Sequence, residues 1–390
     1  MILSAPSHLQ MEDLFEQLQD DTRSFWQSTS FAAVRRLDRM PSASVFFKEY
    51  VATSTPVIIS GGVSGWKATS SWDNLTSLCG DDSNLEVTVD FTPNGRGDCV
   101  IDCHGEGEEV ESVAGCGSVF VKPEEQRMTF RRFAEVLSAA ATCCEGDGDR
   151  GSTSTSSSTS TRTSGVPYLS HQNDSLRQEF PGLMADVEPF LEVAREAFGN
   201  EPDAVNLWIG DERAVSAVHK DHYENMFCVV RGEKHFTLLP PSDVLFLYEK
   251  EYPQGRYRRK QDGPGFEVEM EDGTVPWIPV DPACPDLEKY PLFRYASPVQ
   301  CCVGAGDILY LPALWYHRVS QKGLTIAVNY WHDMQFDHKY VYYRFLQGLA
   351  RKRNDKIMRR LPSDGGVDSG VKPDPSSVGA ATREDEGGGR

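Results

Sequence analysis

The feature that most constrains the fold is a dense series of short strand candidates in the second half of the chain. The turns between them are rich in Gly, Pro and Asp. These segments are 204–209, 214–219, 226–230, 235–239, 300–303, 308–311, 316–319 and 324–331. Short strands with such turns are typical of antiparallel sandwiches and barrels. The sequence therefore predicts a mainly β core.

Helical patterns flank this core. Residues 42–51 and 129–141 carry apolar side chains at helical spacing, whereas 85–89 alternate with the period of a strand. After residue 334 the pattern is helical again, and a basic run follows at 351–360. The aromatic face of this last segment is either helix core or a dimer interface. Its members are Tyr340, Tyr343, Phe345 and Leu346.

Two segments lack the apolar side chains that a packed core requires. Residues 145–164 consist mainly of Ser and Thr, and the tail at 363–390 is mostly Gly, Asp, Ser and Pro. Neither can offset its ordering entropy, so we expect both to be disordered. The predicted organisation is a helical or flexible lead (1–40), the N-terminal part of the main fold (41–144) with a loop insertion (94–118), the Ser/Thr-rich insertion (145–164), the barrel (165–333), a helical segment (334–362) and the tail (363–390).

Composition narrows the classes of function. The chain of 390 residues has 58 acidic and 39 basic residues, a net charge of −19, which argues against nucleic-acid binding and favours basic partners. No apolar run approaches the roughly 20 residues of a membrane span, and no secretory signal is visible. Ten dispersed cysteines do not resemble a disulfide framework. We expect reduced thiols and a cytoplasmic protein, with the nucleus as the alternative.

Three residues form the candidate metal site: His219, Asp221 and His317. Residues i and i+2 of a strand face the same side, so the first two present an imidazole and a carboxylate to one point. A second strand can supply the other imidazole. Two histidines and one carboxylate are the ligand set of non-haem Fe(II) oxygenases, so iron is the expected metal. The alternatives are a satisfied hydrogen-bond network and a decayed metal site.

A separate zinc site in the Gly/Glu-rich segment is the weaker alternative. Cys99, Cys103, His104 and Cys116 could supply ligands, but their spacing matches no standard knuckle.

Several motifs resemble the jumonji-C (JmjC) oxygenases. These motifs are Asn206–Gly210, the H-x-D of 219–221, Asn225, Gly232–Phe236 with Pro240-Pro241, the G-D-x-L-x-x-P-x-x-W-x-H block of 306–317, and Asn329–Trp331. The resemblance covers roughly residues 40–350, and the sequence is similar to the lysyl hydroxylases of that family. It implies a double-stranded β-helix, a jelly-roll or cupin-like barrel with flanking helices, that uses Fe(II), 2-oxoglutarate and O2.

The resemblance also implies residues that bind 2-oxoglutarate. Lys234 would form an ion pair with the distal carboxylate of 2-oxoglutarate, and Tyr168 and Ser216 would assist. We expect Lys234 to lie on a strand antiparallel to the strand that carries His219. Asn225 and Asn329 could hydrogen-bond the end nearest iron. Trp208 and Trp331 are candidate pocket walls. The plainer interpretations are that Lys234 is a surface strand lysine and that the asparagines cap turns.

The implied activity is hydroxylation of a protein, at the (3S) carbon of a lysine in a translation-associated GTPase. An acidic surface suits such a basic target. The alternatives are an N-methyl demethylase, a histone-tail endopeptidase and, from a different class, a non-catalytic cupin-like binding module. We expect no membrane or direct nucleic-acid partner, and the helical segment after residue 334 is a candidate homodimer interface.

Overall fold

The computed structural model describes residues 8–27, 33–73, 75–78, 85–102, 117–142 and 165–358. The predictions of disorder at 145–164 and 363–390 therefore lie outside the described residues. Helices flank the β core at both ends of the chain. They are α1 (His8–Gln27), α2 (Ala43–Phe46, continued by a π-turn over Phe47–Val51), α3 (Ala68–Ser71), α4 (Leu75–Leu78), α5 (Phe130–Thr142), α6 (Ser175–Gln178), α7 (Glu192–Phe198) and α8 (His338–Met358). Short 3-10 turns lie at Pro181–Asp186, Pro241–Phe246 and Pro291–Tyr295.

Sixteen strands are present in the described part of the chain. They are β1 (Arg35–Leu37), β2 (Val57–Ile59), β3 (Glu86–Thr92), β4 (Arg96–Gly97), β5 (Cys99–Asp102), β6 (Ser118–Lys122), β7 (Glu124–Thr129), β8 (Val166–Tyr168), β9 (Ala204–Gly210), β10 (Val215–His219), β11 (Tyr223–Leu239), β12 (Lys250–Arg259), β13 (Phe266–Trp277), β14 (Val299–Gly304), β15 (Ile308–Leu311) and β16 (Tyr316–Asp333). The main sheet has nine strands in the path β1-β2-β15-β11-β16-β10-β4, with β14 on β11 and β9 on β16. Two smaller sheets, β13-β12-β6-β5 and β7-β3-β8, adjoin it.

Two long antiparallel strands organise the main sheet. The first half of β11 pairs with β15, and its second half pairs with β14, while β16 accompanies it along nearly its whole length. Each of these strands replaces two strands that the sequence predicted as separate. The pairing shifts register at Gly232, whose positive φ of 75° and contact with Leu324 leave no room for a side chain. The predicted turn is therefore a bulge, and the chain bends without leaving the sheet.

The predicted mainly β fold with flanking helices is confirmed, since strands that change partners along their length are typical of a jelly roll. The inward faces of both long strands are almost completely buried. No helix in the described ranges is long and apolar enough to cross a bilayer.

The structure differs from the prediction of a loop over 94–118. Strands β4 and β5 occupy 96–102, and β6 begins at Ser118. Residues 103–116 lie outside the described residues, so the alternative zinc site is described only at Cys99. That residue is buried in β5 and its thiol faces the carbonyl of Arg96.

Helix α8 has two different faces. Tyr343 is buried and its hydroxyl lies 2.9 Å from that of Tyr316, with Tyr340 and Leu346 packed beside it. Phe345 lies on the other face and is 65% exposed. The four residues predicted to share one face therefore divide between the core and the surface.

The start of the basic run after α8's aromatic residues is packed against the core. The Arg351 guanidinium binds the buried carboxylate of Glu249. The Arg353 guanidinium covers the ring of Phe15 at 5.5 Å. These contacts fix the C-terminal helix against both the strands and α1.

Candidate metal centre and cosubstrate pocket

The three predicted metal ligands come from two paired strands and the loop that follows one of them. His219 ends β10 and pairs directly with His317, the second residue of β16. The register of this antiparallel pair shifts between Ser216 and His219, which is the irregularity of a bulge. Asp221 lies two residues beyond the end of β10, so the strand's alternation alone does not position it.

The donor atoms of these three side chains converge. One ligand atom from each lies within 4.8 Å of the other two. Nε2 of His317 is 3.6 Å from Oδ2 of Asp221, and the two imidazole centroids are 4.2 Å apart. Imidazole nitrogens and a carboxylate oxygen at this spacing can bind one transition-metal ion on one face, leaving other positions open.

Both histidines are held with the same nitrogen toward the centre. Nδ1 of His219 lies 2.7 Å from the carbonyl oxygen of Ala217, and Nδ1 of His317 lies 3.0 Å from that of Trp315. A carbonyl oxygen can only accept, so each Nδ1 carries the hydrogen and each Nε2 presents its lone pair. Burial lowers the pKa of His317 to about 4, and the neighbouring His219 adds to this effect. His317 is therefore neutral at pH 7, as a metal ligand must be.

The loop that carries Asp221 is tied to the segment that precedes His317. The amide of Leu314 donates to the carbonyl of Asp221 at 2.9 Å. Leu314 has a φ of +67°, which is unusual for a side chain of its size. Backbone strain of this kind persists only where surrounding contacts impose it. The distance between Asp221 and His317 is thus set by backbone contacts and not by the two side chains alone.

Lys234 is buried in β11 and points into the barrel. Only 2% of its surface is exposed, so the interpretation as a surface lysine is wrong. Its strand is antiparallel to β16, which carries His317, but β16 separates it from β10. The strand of Lys234 is therefore parallel to the strand of His219, contrary to the prediction.

The ammonium of Lys234 has neutral partners. It donates to the Tyr168 hydroxyl at 3.0 Å and to the side-chain carbonyl of Gln321. Burial lowers its pKa to about 7, and no carboxylate among the described residues opposes this effect. A buried cation without a counter-ion is costly, so this position is suited to receive an anion.

Gln321 was not identified from the sequence. It pairs directly across from Lys234, and its amide nitrogen donates to the carbonyl of Asp211 at 2.5 Å. Its orientation is therefore fixed with the oxygen toward the ammonium. Ser216 hydrogen-bonds Tyr168, so a second fixed contact holds the phenol beside the lysine.

The two asparagines form a chain of hydrogen bonds on the barrel wall. The Asn329 amide donates to the side-chain oxygen of Asn225 at 3.2 Å and accepts from the indole of Trp208 at 2.8 Å. Both asparagines are buried and line one cavity with the three candidate ligands, Tyr168, Ser216 and Trp331. The indole nitrogen of Trp331 is buried without a partner among the described residues. The pocket therefore presents several polar groups beside the candidate metal centre.

Comparisons with known proteins agree with this arrangement. The family of the cupin-like domain matches residues 42–338. A lysine-specific demethylase, JMJ32 of Arabidopsis thaliana, is 40% identical over 82% of this chain and 87% of its own length. The human bifunctional peptidase and (3S)-lysyl hydroxylase JMJD7 is 37% identical over 82% and 90%, and JmjC domain-containing protein E of Dictyostelium discoideum is 35% identical over 83% and 92%.

The chain is a JmjC oxygenase of the cupin-like family. The recognition made from the sequence motifs is confirmed, whereas the names of its relatives describe different activities.

A cleft of this JmjC barrel opens next to the candidate metal centre. It has a volume of about 350 Å3 and shares Tyr168, Trp208, Ser216, His219 and Asp221 with the cavity that the two asparagines line. Its outer wall was not identified from the sequence. That wall includes Asp90, Asp98, Phe120, Lys122 and Trp277.

Aromatic rings and carboxylates form this outer wall. Trp277 lies parallel to the imidazole of His219 at 6.3 Å and contacts Phe120 at 4.5 Å. Asp90 accepts a hydrogen bond from Ser170 at 2.5 Å, and burial raises the pKa of Asp90 to about 7. Burial also raises the pKa of Asp98, although His219 opposes this. Asp98 adds to the rise in the pKa of Asp90, and Glu125 adds to the rise for both carboxyls, so the wall favours a bound cation.

The JmjC domain has a larger cavity elsewhere, which holds none of the candidate ligands. It has a volume of about 590 Å3 and lies between α8 and the core near Phe47, Trp315 and Met334. Donor chemistry and not volume therefore locates the reactive site.

The other histidines near the motifs lie apart from the three candidate ligands. His332 is buried with Nδ1 3.0 Å from the side-chain oxygen of Asn200, and His222 packs its ring against Tyr340.

Proposed function

We propose that this protein is an Fe(II)- and 2-oxoglutarate-dependent hydroxylase of lysine in a basic protein substrate. The observation on which the proposal rests is the buried Lys234 ammonium, whose hydrogen-bond partners among the described residues are Tyr168 and Gln321. Tyr168 also lines the cavity that holds the candidate triad. A carboxylate would supply the missing counter-charge. A purely structural barrel would gain stability from an apolar residue at this position.

The side chains fit both groups. His219, Asp221 and His317 would hold the iron, since their donor atoms converge and both imidazoles expose Nε2. Bound iron with O2 and 2-oxoglutarate supplies the oxidation, in which a substrate C–H becomes C–OH while 2-oxoglutarate becomes succinate and CO2. Lys234 and Tyr168 would fix the distal carboxylate of the cosubstrate, and the asparagines would orient its other end.

The cleft beside the triad supports a cationic substrate side chain. Burial and the neighbouring Asp98 carboxyl both raise the pKa of Asp90 there, and a lysine ammonium would oppose both effects. The indole of Trp277 offers an aromatic face to the same cation. Lys122 also lines the cleft, but its ammonium is paired with Glu271 at 2.6 Å. A translation-associated GTPase with an exposed lysine is the substrate that the sequence resemblance suggests.

The mass of the product distinguishes this proposal from its rivals. We expect a lysine-containing substrate to gain about 16 Da, keep its length and release no formaldehyde, because a hydroxyl on carbon is stable. The experiment incubates the purified enzyme with basic proteins of a cell extract, Fe(II), ascorbate and 2-oxoglutarate, and measures intact masses, succinate and formaldehyde.

Asp221→Ala serves as the control for this experiment. Formaldehyde equal to succinate would favour a demethylase, the activity in the name of the Arabidopsis relative. Enzyme-dependent fragments that persist without 2-oxoglutarate would favour a peptidase, an activity in the name of the human relative. Binding of 2-oxoglutarate without any turnover would favour the cupin-like binding module.

The exposed face of α8 supports a homodimer. Val341, Tyr342, Phe345 and Leu349 form an apolar stripe on the face that does not contact the core. The cavity of about 590 Å3 lies along the same helix and is lined by the exposed ring of Phe47. Self-association about a two-fold axis would bring the stripe of one protomer against the same region of its partner. We therefore propose that a second copy of this chain covers the apolar stripe of α8.

Phe345→Glu should convert this dimer to a monomer. A charge in an apolar interface loses hydration without gaining a partner, so association should weaken by at least about 100-fold. Light scattering coupled to size-exclusion chromatography measures the mass. Lys352→Glu is the matched control, since Lys352 is exposed on the same helix. Equal masses for the wild type and Phe345→Glu would contradict the proposed interface.

A further inference from the structure

A second cluster of metal-ligating side chains lies on the outer face of the barrel. Glu233 and His235 are two residues apart in β11, so they project from the same face. Cys302 of β14 pairs directly across from His235. One ligand atom from each of the three lies within 4.8 Å of the other two.

The three side chains already contact one another. Nε2 of His235 lies 2.6 Å from Oε1 of Glu233, and the Cys302 thiol hydrogen-bonds the same carboxylate. His235 is 46% exposed and Glu233 35% exposed, so an ion from solvent can reach the cluster. The central strands fix the positions of all three backbones, because β11 is paired on both sides.

We propose that Glu233, His235 and Cys302 bind a zinc-type divalent cation at a site separate from the catalytic centre. Thiolate, imidazole and carboxylate are the three ligand types that zinc uses, and a water would complete a tetrahedron. The soft sulfur disfavours Mg2+ and Ca2+, which prefer oxygen ligands alone. Binding releases the thiol proton to solvent, and the ion takes its place between sulfur and carboxylate.

The neighbouring charges leave the cluster accessible to a cation. The Arg36 guanidinium is nearby but is paired with Asp307 at 2.7 Å. Lys322 pairs across from Glu233 on β16 and is the other cation facing this carboxylate. Both cations reduce the affinity of the cluster for a metal ion.

The site would brace the strand that carries Lys234. Glu233 and His235 flank Lys234 in sequence, and the strand's alternation directs them outward while Lys234 points into the barrel. A cation held by both strands would cross-link β11 to β14 directly behind the buried ammonium. This consequence rests on the proposed function, whereas the metal site itself does not.

Cobalt substitution tests the site independently of turnover. Co2+ added to the full-length protein should produce a near-ultraviolet sulfur-to-cobalt charge-transfer band, because Cys302 supplies a thiolate, and Zn2+ should abolish it. The candidate catalytic centre has no sulfur ligand and cannot contribute this band, so the same band should appear in Asp221→Ala.

Two variants of the cluster and one control decide the assignment. Cys302→Ser should remove the band, and His235→Asn should weaken Co2+ binding by more than the roughly 10–100-fold that loss of an outer-shell partner costs. Cys301→Ser is the control. Cys301 packs against the core, so this variant should leave the band unchanged. Absence of the band in the wild type, its persistence in Cys302→Ser, or its loss in Cys301→Ser or Asp221→Ala would overturn the proposal.

Discussion

Replacing Asp221 or His317 with alanine should abolish 2-oxoglutarate turnover. Each change removes one of three convergent donors, and the two that remain cannot fix an open coordination face. Loss of an outer-shell partner alone costs roughly 10–100-fold in metal affinity or activity, so loss of a ligand should cost at least about 100-fold. Anaerobic iron binding, with about one Fe(II) expected per chain, and succinate release measure the two effects separately.

His222→Asn is the matched control for this prediction. His222 is adjacent to Asp221 in sequence, but its ring lies 6.0 Å from that of Tyr340. Its replacement should therefore leave iron binding and turnover close to wild type. If His317→Ala kept the wild-type iron affinity, or if His222→Asn lost it, the assignment of ligands would be wrong.

The location of the reactive site could be predicted from the sequence because its parts are short and local. The H-x-D pair lies within three consecutive residues, and the block of 306–317 includes its own turn, strand and histidine. Strand alternation predicts that His219 and Asp221 share one face, although Asp221 lies beyond the end of β10. The second strand expected to supply His317 is the one that the structure pairs directly with His219. No long-range information was required for either half of the triad.

Features that depend on strand register could not be predicted in the same way. Gln321 contacts Lys234 only because of the register in which β11 and β16 pair beyond the bulge at Gly232. That register is set by the bulge at Gly232, which the sequence suggested to be a turn. The error placed Lys234 on a strand beside β10, when β16 lies between them.

The outer wall of the cleft was missed for a different reason. Asp98 lies in a segment whose Gly and Glu content predicted an exposed loop, but the chain there forms β4 and β5. Strand β4 pairs with β10, the strand of His219, and this pairing brings Asp98 to the metal centre. Such a contact joins residues more than one hundred positions apart, which composition cannot reveal.

Replacing Lys234 with methionine should separate the stability of the protein from its cosubstrate binding. The ammonium is buried without a counter-ion, so the apolar variant should raise the free energy of unfolding of the cosubstrate-free protein by roughly 1–4 kcal/mol at pH 7. The same variant should raise the Michaelis constant for 2-oxoglutarate by about 100-fold or more, because a buried carboxylate would lose its cation. Chemical denaturation and succinate release measure the two effects.

The pH dependence of the wild type provides the second measurement. The pKa of Lys234 falls from its ordinary value near 10.5 to about 7 on folding, so between these values the unfolded chain binds more protons than the folded one. The stability of the cosubstrate-free wild type should therefore rise with pH above about 7, while Lys234→Met should lack this rise.

Binding of 2-oxoglutarate should show the opposite trend. A carboxylate needs the charged ammonium, so above about pH 7 the cosubstrate must bind together with a proton, and its Michaelis constant should rise with pH. Lys234→Arg is the conservative variant, and it should fail to restore binding because a planar guanidinium needs different space beside Tyr168 and Gln321. An unchanged Michaelis constant in Lys234→Met would move the cosubstrate anchor to another cation. A loss of stability in that variant would instead show that the contacts with Tyr168 and Gln321 outweigh the cost of burying the charge.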